Sequence, residues 1–334
     1  MIKSKKGNTH LLFKWIFGVI AGAIILAFFI KFSYVHLSGE SLIEGNRILL
    51  TVDNKLDAFG VKEGTDVFDL KGEFNLGFDC GVLSSGTPES NNFFERKTDK
   101  IIFTQPKINE RYFSVWTKKW EAPYGVSTFY YLKDKNSVIL FVGPSSSSED
   151  FVNFVGRIPS NMGIQAVDTT QFNPGDFVST ARQSSKFTVV YFGNPTYDWS
   201  TLKSQYGNFG DLEVVVVNLN EHIAEVYDTY GNKEDVFYFG DEMLYGLIFS
   251  GSKFSCTKEI AMNRFNLLTR IHLEKVGRIM SKENRPVCVD LLNEARKMLE
   301  NYQFALTKTE LYDLLEKVGR QNLQLEREDC PTVY

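Results

Sequence analysis

The sequence predicts an α/β protein with an N-terminal transmembrane helix. Antiparallel strands lead into a short doubly wound parallel sheet, and a C-terminal three-helix bundle follows. Three observations predict this class. Leu11 to Phe32 is apolar on every side except for lysines near its ends. Alternation of period two from Val67 to Val142 then passes into short apolar runs separated by helical stretches. The chain beyond residue 251 carries helical stripes broken at Pro286. The expected division is a cytoplasmic tail at 1–10, a membrane helix at 11–32, a stalk helix at 33–60, a β-rich region at 65–143, an α/β region at 138–250 and a helical bundle at 251–330.

The membrane helix rests on length and flanks. At about 1.5 Å per residue, Leu11 to Phe32 is roughly 33 Å long, enough to cross the hydrocarbon core. Lys14 and Lys31 can snorkel to the two interfaces, where Trp15 also fits. Lys3, Lys5 and Lys6 precede the span, and the first acidic residue is Glu40. The positive-inside rule therefore expects a single-pass protein of the cell membrane, with its N-terminus in the cytoplasm and its C-terminal domain outside. A cleaved secretory signal is the competing reading, but no small-x-small site follows Phe32 and the run is long for a signal. Lys5-Lys6-Gly7 before an apolar helix also resembles the class III signal of archaeal pilin-like proteins. That resemblance implies cleavage after Gly7 with the helix retained, although Asn8-Thr9-His10 is not the usual continuation.

From Ser38 to Phe59, Leu42, Ile43, Leu49, Leu50 and Leu56 interleave with Glu40, Glu44, Arg47 and Asp53. This is a helical pattern that Gly60 stops and Gly45 weakens. Such a stalk would continue the anchor and offer a face to another helix. The alternating runs at Val67–Lys71, Phe74–Phe78 and Tyr112–Trp116 read as strands. Phe129–Leu132, Lys133–Asn136 and Val138–Val142 read as strand, turn, strand, for four or five strands in all, mostly antiparallel. The high counts of Phe (28) and Tyr (15) fall mostly in these runs, which favours half-buried strands over a base-stacking platform.

The apolar runs Val138–Val142, Ile164–Val167, Phe187–Phe192 and Leu212–Val217 alternate with helical stretches around Asp150–Val155, Asp176–Arg182 and Trp199–Gln205. That alternation predicts parallel strands with crossovers. Ala224–Tyr227, Tyr230-Gly231-Asn232 and Val236–Phe239 read as a terminal hairpin. Three helices are then expected. The first, from about Cys256 to Met280, has Ala261, Phe265, Leu268 and Ile271 on one face. The second, from Pro286 to about Asn301, carries Leu291, Leu292, Ala295 and Leu299. The third opens on a capping box at Thr307 and Glu310 and carries Leu311, Leu314, Leu315 and Val318.

Composition and motifs exclude several classes. A net charge of −4 gives no electrostatic footprint for nucleic acid. The local clusters Arg111, Lys118, Lys119 and Lys275, Arg278, Lys282 are interspersed with acids, as a solvated face is. No phosphate loop, G-x-G-x-x-G, H-E-x-x-H or G-x-S-x-G is present. His10, His36, His222 and His272 are isolated, so no metal site is expected. Val167-Asp168-Thr169-Thr170 lacks the second aspartate of an aspartyl phosphotransferase. No catalytic residue and no cofactor is therefore expected.

The strand ends offer the one ligand site the pattern suggests. Ligands of open α/β sheets bind beyond the carboxyl ends of the strands, which here read Gly143-Pro144-Ser145-Ser146, Asp168-Thr169, Gly193-Asn194-Pro195 and Asn218. Ser145, Ser146, Asp168 and Asn194 are the candidate ligand-binding residues. The same residue types also serve simply as helix caps and turn formers.

Four cysteines allow three pairings. A continuous first C-terminal helix would hold Cys256 and Cys288 about 36 Å apart, far beyond disulfide reach. An up-down-up arrangement brings Cys330 back to Cys288 and leaves Cys256 beside the sheet that carries Cys80. The expected pairs are Cys80 with Cys256 and Cys288 with Cys330.

Phe239-Gly240-Asp241-Glu242-Met243-Leu244-Tyr245-Gly246-Leu247-Ile248-Phe249-Ser250 runs into Phe254-Ser255-Cys256, a helix with Arg264 and Leu268, and then Cys288. With the anchor, Phe78-Asp79-Cys80 and Thr98-Asp99-Lys100-Ile101-Ile102-Phe103, the chain resembles a family of uncharacterised single-pass membrane proteins from small-genome archaea. The resemblance implies membrane attachment and an outer domain, and it implies no reaction. The sequence thus points to a membrane-anchored extracytoplasmic interaction or assembly protein of the cell envelope, contacting the bilayer and a protein partner through the stalk or the helical bundle. The alternatives are an outward-facing small-molecule receptor or enzyme using the strand-end cleft, and a pilin-like filament subunit.

Overall fold

The computed structural model describes residues 9–70, 75–86, 93–144, 149–206, 211–302 and 308–334. Its first element is a single helix, α1 (Thr9–Gly60), 52 residues long. The stretch Lys14–Ser33 is long and apolar enough to cross a membrane, and none of it is buried within the protein. The expected anchor and stalk are therefore one continuous rod with two environments. Toward its C-terminal end Ile48, Leu49, Val52 and Leu56, spaced at helical intervals, turn inward and are buried. They share a core with Phe68, Phe78, Leu83, Phe113, Tyr130 and Leu132. The stalk was expected to offer this face to another helix; here the protein's own strands cover it.

Eight strands follow: β1 (Gly64–Asp69), β2 (Leu76–Asp79), β3 (Val82–Ser85), β4 (Phe94–Lys97), β5 (Ile101–Phe103), β6 (Lys107–Ile108), β7 (Tyr112–Glu121) and β8 (Gly125–Asp134). They form two four-stranded sheets, ordered β1-β7-β8-β5 and β4-β3-β2-β6, rather than one group of four or five strands. All pairings in them are antiparallel except β5 with β8.

The expected strand, turn, strand across Phe129–Val142 is present, and its turn is a corner between two sheets. Strand β9 (Ser137–Gly143) leaves β8 and pairs in parallel with β10 (Ile164–Asp168) and β11 (Lys186–Phe192). The continuous apolar run Val138–Val142 is the reason. It suits a central strand covered on both faces, whereas a hairpin edge would alternate.

This third sheet has the order β10-β9-β11-β12-β13-β14, completed by β12 (Asp211–Asn218), β13 (Ile223–Tyr227) and β14 (Lys233–Phe237). The first four strands are parallel and the last two form an antiparallel hairpin, as the sequence predicts. The chain order reverses at β9, and helices lie on both faces. On one face, Phe151 and Phe154 of α2 (Glu149–Gly156) share a core with Phe141, Val190 and Phe192. On the other, Ala181 of α3 (Val178–Gln183) and Leu202 and Tyr206 of α4 (Trp199–Tyr206) pack with Leu140, Val142, Val189 and Tyr191.

Helix α5 (Gly240–Ser250) covers the first face, and every residue from Met243 to Ser250 is buried. Helices α6 (Phe254–Met280), α7 (Pro286–Tyr302) and α8 (Lys308–Arg327) end the chain, with α6 against α7 and α7 against α8. The buried stripe of α6 runs Ala261, Phe265, Thr269, Val276, so Ile271 is exposed rather than on the packed face. Leu268 is half-buried beside that stripe. Thr307 and the side chain of Glu310 lie outside the described residues, and with them the expected capping box.

The cysteines pair as geometry demanded. Cys80 and Cys256 lie at disulfide distance with their Cα atoms 5.6 Å apart, and Cys288 and Cys330 with theirs 5.5 Å apart. The second pair holds the C-terminal segment in place. Val333 is fully buried, its N–H donates to Asn322 Oδ1 at 2.8 Å, and its carbonyl lies 3.2 Å from His272 Nδ1.

Candidate functional site

The parallel strands bring their carboxyl ends to one edge. Asp168 is in register with Gly143, the Thr169 N–H donates to the Gly143 carbonyl at 3.0 Å, and the Gly193 N–H donates to the Val217 carbonyl at 3.1 Å. Asp168 and Asn194 leave strands on either side of β9, two strand spacings or about 10 Å apart. Ser145 and Ser146 lie outside the described residues.

Local bonding assigns much of this edge to turn formation. Asp168 Oδ1 accepts from the Thr170 N–H at 2.8 Å and from its hydroxyl at 2.7 Å. Asn218 Oδ1 accepts from the N–H groups of Asn220 and Glu221 at 3.1 and 3.3 Å. Asn194 is exposed, next to Gly193 with its φ of 91°. The floor at the switch point is packed with aromatic rings: Phe151 stands 5.1 Å from Phe192, and a Cβ at Gly143 would meet its ring at 2.5 Å. The close packing of Gly143 against Phe151 leaves the side chains at the rim to define any cleft.

Two ionic clusters were not legible in the sequence. In the first, Lys100 reaches Asp53 at 2.5 Å and Asp57 at 2.9 Å, and Arg96 reaches Asp53 at 3.2 Å. Asp53 and Lys100 are both buried. Burial lowers the Lys100 pKa, but hydrogen bonds to the two carboxylates outweigh it and leave the group raised. This cluster fixes the rotation of α1 over the strands.

The second gathers at the start of α5, where Glu242 receives Lys118 at 2.5 Å and Asp241 receives Arg157 at 2.6 Å. Tyr131 donates to the Glu242 carbonyl at 2.8 Å. Burial, with Glu242 beside it, raises the Asp241 carboxyl above its usual range, and burial lowers His222. Gly240, with a φ of 73°, followed by two acids in a first helical turn, is the one signal that could have marked this helix start. The arrangement joins strand β7, the chain just after α2, and α5 by charge.

Among the described residues no group of three or more His, Cys, Asp or Glu is placed to hold a metal ion. A cavity of about 20 Å³, lined in part by Cys80, Thr98, Lys100, Thr104, Lys253 and Thr257, lies against the first cysteine pair. Comparison of the chain with protein-family models, with curated proteins and with solved structures finds no match.

Proposed function

We propose that this chain is a membrane-anchored protein of the cell envelope whose body stands outside the cytoplasm and acts by contact with other proteins. The observation that carries the reading is α1, whose apolar stretch Lys14–Ser33 is unburied while Leu49, Val52 and Leu56 of the same helix sit in the core of the body. A rod exposing that much apolar side-chain surface is unfavourable in water and favourable in hydrocarbon. The basic residues ahead of the span support the outward orientation, and so do two cysteine pairs at disulfide distance, which suit an oxidising compartment. The segments that resemble archaeal single-pass membrane proteins fit the same reading.

In this reading α6, α7 and α8 form a three-helix bundle whose exposed apolar residues, Leu267 and Ile271 on α6, Val287 on α7 and Leu323 on α8, serve as contact points. Because the inward stripe of the stalk is occupied, the partner meets the bundle or the outer face of the stalk. The strand-end residues Asp168 and Asn194 act as turn formers and bind no substrate. Protease added to intact cells or right-side-out vesicles is expected to degrade the body and spare the first thirty or so residues. Protection of the body until the membrane is broken would reverse the orientation. A filament-subunit version is favoured by the same helix, since its apolar half would line a filament core as readily as a bilayer; a mature N-terminus at Asn8 is the outcome that selects it.

A further inference from the structure

The two cysteine pairs sit in different surroundings. Cys288 and Cys330 are 2% and 6% exposed. Cys80 is exposed in the turn between β2 and β3, with a φ of 48° that places it in the left-handed region. Cys256 is half-buried in the first turn of α6, a helix of 27 residues. The cavity of about 20 Å³ opens beside this pair, and its volume suits one water or one comparable ligand atom. Thr104, only 4% exposed, lines the cavity, and its hydroxyl has no hydrogen-bond partner among the described residues. An unsatisfied buried hydroxyl is costly, so one water or another polar atom in the cavity would be stabilised there.

From these features we infer that Cys80–Cys256 is an exchangeable disulfide that accepts two electrons from an external dithiol, with Cys80 the attacked sulfur and Cys256 the leaving group. In the first step a thiolate of the dithiol bonds to Cys80 Sγ. The Sγ–Sγ bond breaks, and its electron pair stays on Cys256. The second thiol of the dithiol, deprotonated, then attacks its own partner sulfur in the mixed disulfide and expels Cys80 as thiolate. The dithiol departs as its disulfide, oxidised by two electrons, and its two protons pass to the cysteine thiolates or to solvent.

The direction of attack follows from position. Cys80 is the more accessible sulfur. Lys253, three residues before Cys256, lines the same cavity as Cys80, and its positive charge would stabilise a thiolate on Cys256. Stabilising the thiolate lowers its pKa and makes it a faster leaving group. Asp79 acts against the reaction, because its Oδ1 lies 3.2 Å from Cys80 Sγ and repels an approaching anion. The pair also links the small sheet β4-β3-β2-β6, which covers α1, to the C-terminal helices, so exchange would release a tie between the two.

The test uses the full chain in detergent or a nanodisc, without denaturant, and dithiothreitol as the dithiol. Timed alkylation and peptide mapping read each cysteine separately. Cys80 and Cys256 are expected to become alkylatable about tenfold or more faster than Cys288 and Cys330. Lys253→Glu is expected to slow that opening about threefold through the leaving group. Asp79→Asn is expected to speed it, by a factor that shrinks as salt is added. Two results would overturn the inference: opening of both pairs together at the rate of global unfolding, or opening of Cys80–Cys256 at a rate that neither charge variant changes.

Discussion

Leu56→Ala tests whether α1 belongs to the body or merely leads to it. Leu56 is 0% exposed and sits among Ile48, Leu49, Val52, Phe68, Tyr130 and Leu132. Truncating a fully buried leucine removes its transfer free energy and leaves a cavity, for a cost of about 2–5 kcal/mol. Aromatic and branched neighbours on rigid strands relax poorly, so a value near 3 kcal/mol is expected, which is about a hundredfold in the equilibrium between docked and released helix. Leu50, 37% exposed on the opposite side, is the control; Leu50→Ala should cost less than about 0.5 kcal/mol. The assay is hydrogen exchange of the amides of residues 46–60 and of β8 in a nanodisc-held protein. If Leu56→Ala exchanges no faster than Leu50→Ala, the helix is not held by this core and the rigid-rod argument fails.

Two further outcomes follow from buried charge. Lys100→Met should destabilise the body by about 3–5 kcal/mol, since it leaves Asp53 buried with only the half-exposed Arg96 for company; adding Asp53→Leu should recover much of the loss, measured by thermal unfolding. Lys133, 6% exposed, is pushed down to about 8 by burial, with the nearby Asp134 acting the other way. Its folded pKa lies below the unfolded one, so the unfolded chain binds more protons between about pH 8 and 10.5 and stability rises with pH there. Denaturant titrations should show that rise in the parent protein and a flatter profile in Lys133→Met.

The parts of the fold that the sequence made legible are those in which one pattern serves one environment. The parallel strands were readable because β9, β11 and β12 are covered on both faces and carry unbroken apolar runs. The cysteine pairing was readable because a long helix forbids Cys256 from meeting Cys288 and an up-down-up order returns Cys330 to the Cys288 end. Helix α5 was missed for the opposite reason: with Met243 to Ser250 all buried, Met243-Leu244-Tyr245-Gly246-Leu247-Ile248-Phe249 has no polar face to set a period. The strand, turn, strand reading of Phe129–Val142 holds, with the turn at Lys135–Asn136, but local turn chemistry does not say that the turn is a corner between two sheets. Of the ligand candidates, Asp168 and Asn194 do reach one edge, and the bonds of Asp168 to Thr170 are the local i to i+2 turn that the sequence also offered as its role.

What the body can do is constrained by how it is held. A helix end packed by four apolar side chains and locked in rotation by Lys100 between Asp53 and Asp57 cannot turn freely about its axis. In the membrane-anchored protein proposed above, that lock would set which faces of the body accompany a given face of the span, and contact with a neighbour in the same bilayer would be selected by that register as well as by surface chemistry. An assembly protein gains from such restraint, because ordering two bodies before they meet reduces the orientational cost of association. A receptor built around a loose stalk would gain nothing from a buried ion cluster at its base. Buried ion pairs are costly to desolvate and return little net stability, so on the proposed anchored reading the register set by Lys100 and Asp53 is the physical reason to look for partners in the plane of the membrane.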